Sequence, residues 1–74
     1  MRADKYTAVI QDEDGGFVSL CPELDVASQG DSVEEALKNL KEAVELFLEF
    51  ASMEEIVRRR HQSTFVTQFE AVHA

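Results

Sequence analysis

The sequence predicts a small α+β module of order β-β-β-α-β, and three observations carry that reading. Two stretches rich in β-branched and aromatic residues, Lys5–Gln11 and Phe17–Cys21, flank the turn Asp12-Glu13-Asp14-Gly15-Gly16. Ser28-Gln29-Gly30-Asp31-Ser32 then leads into a long run with apolar residues at helical spacing. A last segment, Thr64–Val72, returns to strand-like composition.

Lys5-Tyr6-Thr7-Ala8-Val9-Ile10-Gln11 is the first strand, and Gly15 and Gly16 supply the positive φ of the hairpin that follows it. Phe17-Val18-Ser19-Leu20-Cys21 is the second strand. Pro22 stops its ladder by removing a backbone donor. Glu23-Leu24-Asp25 turns the chain, and Val26-Ala27-Ser28-Gln29 is a short third strand ending at Gly30. Apolar residues fall on both faces of this meander. Tyr6, Ala8 and Ile10 share one side and Val9 takes the other, while Val18 and Leu20 oppose Phe17. A sheet wetted on one side would alternate more cleanly. One face is therefore expected to meet the helix and the other to meet another chain.

Ser32 is the expected N-cap, with Glu35 reaching back in a capping box and Glu34 and Glu35 at the positive end of the helix dipole. Val33, Ala36, Leu37, Leu40, Ala43, Val44, Phe47, Leu48 and Ala51 form one helical face. Glu34–Lys38 and Lys41–Glu45 are i,i+4 pairs on its flanks. Ser52-Met53-Glu54-Glu55 is a second cap pattern, opening a helical turn or two over 53–60. Residues 64–72 are the expected fourth strand. A right-handed crossover places that strand parallel to the first, giving sheet order 3-2-1-4 with the long helix on one face.

The 74 residues make one expected domain whose core is small for the chain's surface. Cys21 is the sole cysteine, which excludes an internal disulfide and fits a reducing cytoplasm. Cys21 with His61 and His73 does not reproduce the ligand spacing of structural zinc. Self-association remains as the source of extra stability. No signal pattern or long apolar run is present, so a cytoplasmic location without a membrane contact is expected.

The net charge of −8 is unevenly spread. Residues 6–57 hold thirteen carboxylates against Lys38 and Lys41, a balance of −11. Arg58, Arg59 and Arg60 follow, with only Glu70 opposing them. Such an acidic body repels phosphate backbones, making direct nucleic-acid binding an unfavoured function. It suits a basic protein partner, for which charge pairing speeds encounter and sharpens specificity.

Catalytic patterns are weak. Asp12, Glu13 and Asp14 read as a solvated hairpin tip, because no metal-loop spacing accompanies them. Cys21 just before Pro22 reads as a small buried apolar group. Gly15, Gly16 and Gly30 match no phosphate-loop pattern and read as turn glycines. The arginine cluster fits a helix C-terminus better than a nucleic-acid contact. No enzyme activity, cofactor or metal is expected. The singled-out residues, Gly15, Gly16, Pro22, Gly30, Ser32 and Glu35, are structural.

Tyr6-Thr7-Ala8-Val9-Ile10, Glu13-Asp14-Gly15-Gly16-Phe17-Val18, Pro22-Glu23-Leu24, Ser28-Gln29-Gly30-Asp31-Ser32 and Glu34–Ala43 occur in the order and spacing of a known family. Over residues 5–50 the chain resembles the HicB antitoxins, small proteins that partner a basic RNA-cleaving toxin, HicA. The resemblance implies a partial RNase H-like fold without catalytic carboxylates, self-association into dimers or tetramers, and inhibition of a HicA-type toxin. Two departures stand out. Only Asp25-Val26-Ala27 separates Leu24 from Ser28, where relatives carry a longer segment with a Pro-Gly pair. No separate DNA-binding domain is expected after the core. Two other functions compete with the antitoxin reading: an orphan scaffold or small-ligand binder of the same fold, and a metal-dependent RNase H-like nuclease.

Overall fold

The computed structural model describes residues 4–60 and 63–74; His61 lies outside the described residues. Strands β1 (Val9–Glu13), β2 (Gly16–Cys21) and β3 (Val26–Gly30) precede helices α1 (Val33–Phe50) and α2 (Met53–Arg59). The strands form one antiparallel sheet in the order β1-β2-β3. This is an α+β arrangement with a long helix on one face.

The β1–β2 hairpin pairs Val9 with Leu20 and Glu13 with Gly16, leaving Asp14-Gly15 as its two-residue connection. Both have positive φ, +48° and +83°. That is the pattern of a type I′ turn, whose twist matches the flanking strands. Gly16 has a different task from the positive φ expected of it. A Cβ there would meet the Gly30 carbonyl oxygen at 3.3 Å, so its lack of a side chain serves close approach to β3.

After Cys21 the chain leaves the ladder at Pro22, and the Leu24 amide donates to the Cys21 carbonyl at 3.3 Å. Asp25, at φ +54°, redirects the backbone into β3. Leu24 points into the core and is fully buried.

Paired residues share a face, so Ile10, Ser19, Ser28, Cys21 and Val26 lie on one side, with Val9, Val18, Leu20 and Ala27 on the other. Helix α1 covers the first side. Cys21, Leu24, Leu40 and Val44 form the core, with Tyr6, Val26, Phe47 and Leu48 packed around it. Ser19 is buried there, and its hydroxyl donates to the Ala36 carbonyl at 3.0 Å, which satisfies the one buried polar side chain among the described residues. Gly30 is where β3 meets α1. A Cβ on it would lie 2.6 Å from the Ala36 nitrogen and 2.8 Å from the Glu35 carbonyl carbon.

The Glu35 amide donates to Ser32 Oγ at 3.0 Å, while the Glu35 carboxylate accepts from the Asp31 amide at 2.8 Å. The return bond thus reaches one residue further back than in a standard capping box. At the other end Ala51 is extended, and Ser52 caps α2 by accepting from the Glu55 amide at 3.1 Å. Lys38 pairs with Glu42 at 3.6 Å in an exposed contact worth a few tenths of a kcal/mol. Arg59 lies 3.8 Å from Glu55, and its guanidinium sits 5.0 Å from the centre of the Phe47 ring, which holds α2 against the end of α1.

Two expectations need correction. The first strand begins at Val9 and runs to Glu13, not from Lys5 to Gln11. Residues 5–8 are outside the ladder because the Thr7 amide is taken by the Glu23 side chain. Residues 64–72 form no strand, so among the described residues the sheet has three strands and the order 3-2-1-4 is not formed. No helix among the described residues is long and apolar enough to cross a membrane.

Candidate functional site

Two surfaces offer themselves for recognition. The first is a cleft of about 560 Å³ at the end of the molecule where the β1–β2 turn meets the start of α1. Glu13 and Asp14 reach it from the turn, and Asp31 and Glu35 from the helix entrance. Gly15, Gly16 and Gly30 form backbone parts of its wall. Among the described residues no lysine or arginine lines it. Asn39 closes one side and donates to the Gln29 carbonyl at 2.7 Å, so the helix and β3 are fixed to each other there. This gathering joins turn carboxylates to helix-start carboxylates seventeen or more residues away in sequence. Individual residues in it were legible in the sequence as turn or cap residues. Their convergence was not, because it depends on the close contact of Gly30 with α1.

What such a cleft does chemically is attract cations. A guanidinium or ammonium on a partner would face carboxylates from both the turn and the helix entrance. Among the described residues no three His, Cys, Asp or Glu side chains are grouped to hold a metal ion.

The second surface is the sheet face opposite α1. Leu20 is exposed and Val9 and Val18 are partly so, and among the described residues no helix packs on that side. The apolar flank of α1 and α2 continues with Leu46, Phe50, Met53 and Val57, all exposed.

Pro22 ends β2, and Ser32 with Glu35 fixes the helix start. Cys21 is fully buried, and burial, reinforced by the neighbouring Glu23 carboxylate, pushes its thiol above the ordinary range. A buried thiol of raised pKa is a poor nucleophile. Glu23 was read only as a turn residue, yet its carboxylate ties together Thr7 and Cys21. It accepts from the Thr7 amide through both carboxylate oxygens at 3.0 Å, from the Thr7 hydroxyl at 2.6 Å, and from Cys21 Sγ at 3.5 Å. Arg58 and Arg59 occupy the last turn of α2.

Comparison with known proteins adds relatives to this geometry. A UPF0150 protein of Helicobacter pylori is 35% identical over 68 residues, covering 90% of this chain and 94% of that relative. A UPF0150 protein of Synechocystis is 48% identical over 46 residues, which span 60% of this chain and 58% of the relative. A second Synechocystis UPF0150 protein is 40% identical over 50 residues, covering 66% of this chain and 69% of its own length. No family model matches the chain. No solved structure matches it either.

Proposed function

This chain belongs to the UPF0150 family of HicB-like proteins, and on that premise we propose that it is an antitoxin-type interaction protein that binds and silences a small basic ribonuclease of the HicA type. The observation that carries the proposal is the cleft lined by Glu13, Asp14, Asp31 and Glu35, with no lysine or arginine among its described lining residues. It gathers four of the thirteen carboxylates of residues 6–57. A ribonuclease that binds RNA presents cations on its active surface, and a carboxylate-lined cleft competes for those same cations. In this reading the three strands and α1 are the retained part of an RNase H-like frame. The protein is inert toward RNA and works in the cytoplasm.

The test is co-expression with a short basic protein encoded beside it. Growth arrest and RNA cleavage caused by that protein are expected to disappear when this chain is present. An absent neighbour, or a neighbour that neither binds nor is silenced, would favour a scaffold or small-ligand binder of the same fold. RNA cleavage by this chain alone, abolished by a chelator, would revive the nuclease reading.

A further inference from the structure

The sheet face opposite α1 changes character along its strands. Val9, Leu20 and Ala27 are cross-strand neighbours and form an apolar row. One step further along the strands, Gln11 and Gln29 flank Val18. The next step brings Glu13 on β1, opposite Gly16. Glu13, Val18 and Gln29 also line the acidic cleft, so face and cleft are one continuous surface. It runs from apolar to acidic in a single direction.

Apolar side chains on a sheet face are ordinarily buried by a further layer of structure. Among the described residues a helix supplies that layer on the other side only, and Leu20 stays 42% exposed. The face is three strands wide. That is about 10 Å between the axes of the outer strands, close to the width of one helix. Val9 and Glu13 lie about 13 Å apart along β1, a distance that a helix covers in about nine residues. Charge then selects the kind of helix. Residues 6–32, which make the sheet and its turns, hold Asp12, Glu13, Asp14, Glu23, Asp25 and Asp31 and no lysine or arginine. A second copy of this chain would bring its own net charge of −8 to that surface, and a phosphate backbone is repelled by it as well.

We propose that the face opposite α1 is the docking surface for one amphipathic helix of a basic protein. The helix lies along the strands with aliphatic side chains on Val9, Val18, Leu20 and Ala27. Its lysines or arginines, about nine residues further on, meet Glu13 and the other carboxylates of the cleft. This docking rests on the partner-silencing reading and divides the work of that interface. The carboxylates speed encounter, and the apolar row sets how long the complex lasts.

Binding kinetics of the short basic protein encoded beside this chain test it, using the wild type, Leu20→Thr, and Leu20→Thr with Val18→Thr. Threonine keeps the strand preference while removing apolar surface, and circular dichroism checks that the fold is retained. Both variants are expected to dissociate about tenfold faster or more, with association rates within about twofold of wild type at low and at high salt. Phe50→Thr, on the exposed flank of α1, is expected to change neither rate. Unchanged dissociation in both Leu20 variants, or an equal acceleration by Phe50→Thr, would overturn the proposal. So would a wild type whose own mass by light scattering halves on Leu20→Thr, because a second copy would then occupy the face. Salt-dependent association of the wild type alongside unchanged dissociation of the Leu20 variants sinks the docking surface and leaves the cleft reading standing. A wild type that binds no such protein overturns both.

Discussion

Glu23 clamps Thr7 across sixteen residues of sequence, taking its amide at 3.0 Å and its hydroxyl at 2.6 Å. The clamp fastens the segment before β1 to the turn between β2 and β3, beside the core residues Tyr6 and Leu24. Burial opposes ionisation of Glu23, but the bonds from Thr7 outweigh it and hold the carboxyl below its ordinary range.

That direction sets a pH dependence. A carboxyl whose pKa is lowered by folding stabilises the native state at neutral pH. Its contribution is lost as pH falls through the unfolded value of about 4.3 and then through the lower folded one. Glu23→Gln is expected to reduce stability at pH 7 by up to about 1.5–3 kcal/mol, the range for hydrogen bonds to a charged group. Urea denaturation of both proteins should show the gap at pH 7 and its narrowing below about pH 4. A gap that stays constant to low pH would remove the charge of Glu23 from this role.

Gly30→Ala is expected to be among the most damaging single methyl additions in the chain. The new Cβ would press on the backbone of Ala36 and Glu35, which cannot rotate aside. Overpacking of this kind costs roughly 1–3 kcal/mol. Gly15→Ala meets no atom within 4 Å, but its φ of +83° penalises any side chain by about 1 kcal/mol. Denaturation midpoints of the two variants should therefore both fall, with the larger fall at Gly30.

Ser32→Ala removes the oxygen that accepts from the Glu35 amide and is expected to cost about 1 kcal/mol. The same denaturation experiment reads it. An unchanged midpoint with an unchanged slope would mean that the bond from Asp31 to Glu35 holds the helix start without it.

Local rules made much of this fold legible in advance. The stop at Pro22 and the caps at Ser32 and Ser52 are each set by a few adjacent residues and stand where their local chemistry puts them, and the hairpin falls within Asp12–Gly16 as read, though Asp14 rather than Gly16 takes the second positive φ. What escaped depends on distant contacts. The start of β1 moved because Thr7 bonds to Glu23 rather than to a strand, and nothing near Thr7 in sequence signals that. The acidic cleft formed because Gly30 admits the α1 backbone. The alternation in residues 64–72 reads as a strand, but alternation alone does not make a ladder, and none forms there.

The central claim is that the carboxylates at the β1–β2 turn and the α1 entrance capture a basic partner. The most direct measurement is the association rate of the adjacent basic protein with the wild type and with Glu13→Lys plus Asp31→Lys. Both positions are exposed, so the fold is expected to tolerate them. The account predicts a wild-type rate that falls steeply with added salt and a drop of about tenfold or more in the variant at low salt. Equal rates for the two proteins, insensitive to salt, would contradict it.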